Sequence, residues 1–268
     1  MNSHRYRQGP PVWAAVPAVV ALAFLVLPLL ALAGRADWTT FWSDISSQES
    51  LQSLWLSIWT AALSTIVCAV LGLPLAVFIA GLGPRWAAVL RAVTTIPLLL
   101  PPMVGGVALL YLLGRNGWLG RSFEAWGWQI PFTSGAVVVA ESFVALPFLV
   151  IAAESAIRAL DRELLDAAAT MGASSWQTFR SVTVPIAGPA IAAGLTLTFA
   201  RAMGEFGATA LFAGNAQGVT RTMPLAIYTA FNGAGTTQAA AIAMSLVLFV
   251  VALAVLVAAR AWRVDSVH

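Results

Sequence analysis

The chain has 268 residues, of which 60% are apolar and 9% charged, with a mean hydropathy of +0.85. About a quarter of an ordinary soluble domain is charged, so this composition excludes a soluble fold of the same length. The formal net charge is +3, and every basic side chain is an arginine lying between apolar segments. No basic face forms, which argues against a nucleic-acid partner.

A helix needs about 20 apolar residues to cross about 30 Å of hydrocarbon. Six stretches qualify: 13–33, 54–80, 87–113, 134–156, the short 187–204, and 238–259. The third is interrupted by Pro97, Pro101 and Pro102. The expected fold is all-α, a polytopic membrane protein with six transmembrane helices. Its segments are an N-terminal stretch 1–12, the first helix 13–33, a five-helix core 54–259 and a tail 260–268. The start also resembles a secretory signal, with Arg5 and Arg7, an apolar run and "ALAG" at 31–34. That run of 21 residues exceeds the usual hydrophobic region of roughly 7–15. The helix is therefore expected to be retained; cleavage would leave five spans.

Arginines concentrate in cytoplasmic loops. With the N-terminus inside, the inner segments hold nine: Arg5, Arg7, Arg85, Arg91, Arg158, Arg162, Arg180, Arg260 and Arg263. The outer segments hold four: Arg35, Arg115, Arg121 and Arg221. Both termini are expected to be cytoplasmic. Trp38, Trp42, Trp118, Trp126 and Trp128 then fall in outer loops, as interfacial aromatics do.

In this topology 157–186 is the longest inner loop. Asp161 is placed to cap a helix that Gly172 stops. Leu164, Leu165, Ala168 and Met171 recur at helical spacing, expected on one face. Ser174 or Ser175 caps a second short helix through Phe179, and Pro185 closes the unit before the fifth span. Pattern alone leaves two readings, a solvated loop or interfacial helix, or a ridge of apolar and small residues that docks on a partner. Asp166-Ala167-Ala168, three residues, Gly172, nine residues, then Val182-Thr183-Val184-Pro185 resembles the EAA loop of ABC importer permeases. Asp166 stands for the family's Glu, Val182 for Ile and Val184 for Leu. The resemblance implies a type I importer permease-like fold. It implies that Asp166, Ala167, Ala168, Gly172 and Pro185 couple the chain to two separate ATPase subunits. The chain holds no G-x-x-x-x-G-K-[ST] phosphate loop, so it is not itself expected to hydrolyse ATP.

The stretch 200–231 contains "RAMGEFGAT", "FAGN" and "TRTMPLAIY". With "PLLLPPMVGG" at 97–106 it resembles permeases for tetrahedral oxyanions, and among them molybdate permeases. Tungstate and sulfate stay open as cargo. Arg201 and Glu205 are four apart and can pair on one helix face. That pair either fixes packing or faces a water-filled path, because charge at membrane depth is expensive. Gly204 and Gly207 allow close helix contact or a break. Thr196, Thr198, Thr209 and Asn215 offer polar groups to a passing anion. Prolines at membrane depth survive where protein or a wet cavity satisfies the freed backbone. Pro97, Pro101, Gly105, Gly106, Arg201, Gly204 and Glu205 are the candidates for a translocation path or gate.

The resemblance implies a second copy of this chain and an external, periplasmic or extracellular substrate-binding protein. Pro224 and Tyr228, on a short outer helix, are the docking candidates for that protein. The implied location is the bacterial cytoplasmic membrane. No cofactor or metal is expected: Cys68 is the single cysteine, and His4 and His268 lie at opposite ends. Glu141, Glu154 and Glu205 have no His beside them and the chain has no Lys, which argues against an intramembrane enzyme. The docking loop argues against an ATP-independent channel or carrier. The tail "RAWRVDSVH" is too short for a regulatory site, and none is expected in this chain.

Overall fold

The computed structural model describes residues 12–265. Most of the expected N-terminal segment 1–12 and the end of the tail, 266–268, lie outside the described residues, with Arg5, Arg7, His4 and His268 among them.

Among the described residues thirteen α-helices follow one another. The first seven are α1 Val12–Gly34, α2 Phe41–Ile45, α3 Gln48–Gly81, α4 Pro84–Leu99, α5 Pro102–Leu113, α6 Gly120–Ala125 and α7 Ser134–Arg158. They continue as α8 Arg162–Thr170, α9 Ser175–Thr178, α10 Val184–Met203, α11 Gly207–Phe212, α12 Met223–Phe231 and α13 Gln238–Asp265. No strand forms among the described residues. Five helices are long and apolar enough to cross a membrane.

The expected third span, 87–113, is not one straight crossing. α4 and α5 meet at a bend of 108° across Leu100 and Pro101. Pro101 and Pro102 lack the N–H groups that would continue α4, so the chain turns there. Pro102 is compatible with the new helix because first-turn donors have no intrahelical acceptor. The second span starts earlier than composition suggests. Ser47 caps α3 by accepting the Ser50 N–H at 3.3 Å, which extends that helix to the polar residues Gln48 and Glu49.

α7 is the central helix, with 61% of its most apolar stretch buried, whereas none of that of α1 is buried. α7 packs against α3 through a stripe of small residues on α3: Ala61, Ser64, Cys68, Gly72 and Ala76. Their spacing of three and four keeps them on one face, and small side chains let the backbones approach. A Cβ on Gly72 would lie 3.1 Å from Leu146 and 3.3 Å from Val150. α10 packs against both α7 and α3, with Gly194 facing Ala152 of α7. Among apolar helices burial supplies little net attraction, so this close packing and interhelical hydrogen bonds hold the bundle.

The segment before α10 differs from its expected form. Pro185 does not close the loop; it lies in the first turn of α10. α9 runs through a π turn at Phe179–Thr183 directly into α10, making one continuous rod over Ser175–Met203. Val184 N–H bonds to Phe179 O across the wide turn, a register that accommodates the donor Pro185 lacks.

Candidate functional site

The loop between α7 and α10 takes its local structure from its own sequence. Asp161 Oδ1 accepts the Glu163 N–H at 3.0 Å and starts α8. Gly172 adopts φ +82° just after α8, a conformation that costs glycine little. Ser174, rather than Ser175, starts α9 by a reciprocal pair. Its Oγ accepts the Gln177 N–H, and Gln177 Oε1 accepts the Ser174 N–H at 2.7 Å. The expected single apolar face divides in two. Ala168 is buried and Leu165 lines a cleft against Ala80, Gly81 and Ile157, while Leu164 and Met171 are exposed. Trp176 is also exposed and stacks on Phe179, with ring centroids 5.7 Å apart. Asp166, Ala167 and Gly172 are exposed too, as is Pro185 at the start of α10. The result is an apolar ridge on the end of a greasy bundle, with the exposed carboxylates of Asp161, Glu163 and Asp166 beside it.

At the far end of α10 a second site assembles. α10 stops at Met203, so Glu205 lies beyond the helix rather than on its face. It still reaches back: Arg201 Nη2 meets Glu205 Oε2 at 2.8 Å. Glu205 Oε1 accepts the Ala208 N–H in the first turn of α11 at 2.9 Å. The carboxylate is thus buried and committed on both oxygens, while the Arg201 side chain keeps 27% exposure. An open cleft of about 290 Å³ lies beside them, lined by Pro102, Met103, Arg201, Gly204, Glu205, Phe206 and Gly207. The α4–α5 bend and the "RAMGEFG" stretch, far apart in the chain, therefore form one wall. Gly106 and Gly207 make that approach possible. A Cβ on Gly106 would lie 2.8 Å from Ala208 O, and one on Gly207 2.6 Å from Pro102 Cβ.

The other candidates are placed less centrally. Pro97 is half-buried within α4, and Gly105 is buried against the Phe143 ring; neither lines the cleft. Gly204 ends α10 with φ −87° and no tight neighbour, so no close contact demands glycine there. Thr196 and Thr198 donate to carbonyls of α10, and Thr209 is buried with no partner for its hydroxyl among the described residues. Asn215 belongs to a different cluster, accepting from Arg221 Nε at 2.9 Å and donating to Thr229. Pro224 is half-buried in the first turn of α12. Tyr228 is exposed, and its ring packs against Phe206 at 5.0 Å, next to the cleft.

Three polar clusters were not anticipated. Glu141, buried in α7, accepts from Thr60 Oγ1 at 2.9 Å and Ser64 Oγ at 2.8 Å, both on α3. Glu154 accepts from Arg91 on α4 and Arg158 on α7. Glu49 at the start of α3 holds Arg221 at 2.6 Å, with both side chains largely buried. A rare charge inside an apolar segment is the signal that marks Glu141 and Glu154; Glu49 lies in a polar stretch and carries no such signal. No cluster with the composition of a metal site occurs among the described residues.

Residues 72–264 match the family described as binding-protein-dependent transport system inner membrane component. The chain is 46% identical over 242 residues to the molybdenum transport system permease protein ModB of Mycobacterium tuberculosis, covering 90% of each. It is 30% identical over 255 residues to a probable sulfate transport system permease protein of Chlorokybus atmophyticus, covering 93% of this chain and 88% of the relative. Its fold is similar to a chain of a bacterial alginate ABC transporter solved with a pentasaccharide-bound periplasmic protein. There the TM-score is 0.68 at 18% identity, over 92% of this chain and 91% of the other.

Proposed function

Because this chain belongs to the family of binding-protein-dependent transport system inner membrane components, we propose that it is the membrane-spanning permease subunit of an ATP-driven importer whose cargo is molybdate. The cargo rests on the 46% identity to the molybdenum permease across nine-tenths of both chains. The mechanism rests chiefly on the continuous rod Ser175–Met203. One end of this rod is the exposed ridge, and the other presents Arg201 to the cleft. At 1.5 Å per residue such a rod spans about 44 Å, more than the hydrocarbon thickness.

In this reading the loop faces the cytoplasm, as the arginine distribution supports. Leu164, Ala167, Met171 and Trp176 seat in an apolar groove of a separate ATPase subunit, and Asp166 pairs with a basic group there. Gly172 leaves room for close approach. Movement of the ATPase then displaces α9 and, through the rod, Arg201 and the cleft wall. Arg201 offers a cationic edge to a dianionic oxyanion without enclosing it, which suits a path that must release its cargo. The α4–α5 bend at Pro101 and Pro102, packed through Gly106 and Gly207 against the stretch that follows Arg201, shares that wall and is the element that opens or shuts. Two copies of the chain complete the path, with two ATPase subunits below and a binding protein above. Pro224 and Tyr228 are candidates for contact with that protein.

Sulfate as cargo is the second reading, favoured by the 30% identity over most of the chain to the sulfate permease. The test is reconstitution of the chain with its ATPase and binding protein in liposomes. ATP hydrolysis is measured with molybdate, tungstate, sulfate, phosphate or no anion. Stimulation by molybdate and tungstate alone supports the first reading. Stimulation by sulfate keeps the coupling mechanism and replaces the cargo. No stimulation by any anion refutes the importer reading.

A further inference from the structure

Glu154 sits on α7 one turn before the loop that leads to α8, and it is only 3% exposed. Two helices, α4 and α7, supply guanidiniums to its carboxylate, and a third, α3, joins through Arg158. Arg91 Nε on α4 lies 2.8 Å from Oε1 and 2.9 Å from Oε2, and Arg158 Nε on α7 lies 2.7 Å from Oε1. Arg158 also donates through Nη2 to Ile79 O at the end of α3, 3.1 Å away. A buried carboxylate with two guanidiniums is held firmly, because removing the acid would leave two cations facing each other.

The position of α4 makes this junction consequential. Ala87 is the one buried residue in α4 among the described side chains, so apolar packing alone holds this helix loosely. Arg91 is its polar fastening to the bundle. The same helix ends at the 108° bend whose far side, Pro102 and Met103, borders the cleft with Arg201. At the other side of the junction, Arg158 is three residues from Asp161, which starts α8. A displacement of the loop therefore acts on Arg158 and Glu154 first, and reaches α4 through Arg91.

We propose that Glu154 is a positioning residue that joins the cytoplasmic loop to α4, so that the α4–α5 bend at the cleft follows the loop. This rests on the importer reading above and adds a second route beside the α9–α10 rod. The Arg91–Glu154 contact sets where the bend stands; without it the loop still docks and the ATPase still turns over, but the bend no longer follows.

The test uses the complete complex of permease, ATPase and binding protein in liposomes, with molybdate uptake and ATP hydrolysis measured together. Glu154→Gln keeps the shape but loses the charge. We expect it to retain assembly and basal hydrolysis while molybdate imported per ATP falls roughly tenfold. Glu154→Asp keeps the charge and is expected to recover part of that ratio. Should Glu154→Gln fail to insert, Arg91→Ala carries the test. Arg91 is 43% exposed, and its loss leaves Glu154 paired with Arg158. A lowered import-to-hydrolysis ratio in Arg91→Ala supports the proposal. An unchanged ratio in both variants, or hydrolysis and uptake falling in proportion, overturns it in favour of a purely structural clamp. Lack of anion-stimulated hydrolysis in the unaltered complex overturns the importer reading instead, and this inference with it.

Discussion

Gly207 and Pro102 touch so closely that a Cβ on the glycine would sit 2.6 Å from the proline Cβ and 3.2 Å from Met103 N. This contact fixes α11 against the start of α5, where the bend meets the cleft. Gly207→Ala must push the two apart, at a cost of about 1–3 kcal/mol for overpacking. Uptake should fall along with the thermal midpoint in detergent. Gly204→Ala, three residues away, meets nothing tighter than 3.5 Å and has an ordinary φ. It should change stability by less than about 0.5 kcal/mol. Equal losses in the two variants would show that the contact is not what matters.

Arg201 and Glu205 allow a structural role to be separated from a role in the path. Glu205 is almost fully buried, so Arg201→Ala strands a carboxylate and should cost about 3–5 kcal/mol, read as lost expression and a lowered thermal midpoint. Replacing both residues, as Arg201→Met with Glu205→Gln, removes the stranded charge. The introduced glutamine still has a carbonyl for the Ala208 N–H, so the double variant should regain most of the stability. If Arg201 serves the anion, uptake stays absent in this stable double variant. Uptake that returns with stability would reduce the pair to a packing element.

Glu141 is held by hydroxyls alone; none of the ion pairs formed among the described residues includes it. A glutamine has the same shape, with a carbonyl to accept from one hydroxyl and an amide to donate to the other. Glu141→Gln should leave stability and uptake near those of the unaltered protein. Glu141→Ala should cost about 2–3 kcal/mol, through the void and the lost partners of Thr60 and Ser64. The thermal midpoints of the two variants, measured side by side, decide this. A Gln variant as unstable as the Ala variant would show that the carboxyl itself is needed.

What can be read from the chain in advance follows the range of each interaction. Asp161, Gly172 and Ser174 act within three residues of themselves, so the caps and the break between α8 and α9 are legible from spacing. The Arg201–Glu205 pair is legible for the same reason, although α10 ends between the two residues. Pro185 misleads because a proline reads as a stop, whereas the π turn before it supplies a register that needs no donor there. The split face of α8 depends on what lies behind Leu165 and Ala168, which periodicity does not encode. Glu154 with Arg91, Glu141 with Thr60 and Ser64, and Glu49 with Arg221 join residues 63 to 172 positions apart. Composition marks Glu141 and Glu154 as costly, but only the packing of α3, α4 and α7, and for Glu49 that of the segment before α12 on α3, supplies their partners. The prolines mark a break at 97–102; its angle depends on how α5 packs on α11.

Gly172 gives the most direct test of docking by the loop. Its φ of +82° disfavours other residues, yet no atom lies within 4 Å of where its Cβ would be. A Cβ there meets no packed neighbour, and the position is exposed beside the ridge. Backbone strain and docking are separable, because asparagine adopts this conformation readily while for most residues it costs about 1–2 kcal/mol. Gly172→Asn should insert with near-normal stability, and Gly172→Trp with a modest loss. Both should retain less ATPase on co-purification, the Trp variant far less, and molybdate uptake should fall in the same order. Normal ATPase retention and uptake in Gly172→Trp would show that this surface is not buried against a partner. Weakened retention in the unstrained Asn variant would place the defect at the contact with the ATPase rather than in the fold of the loop.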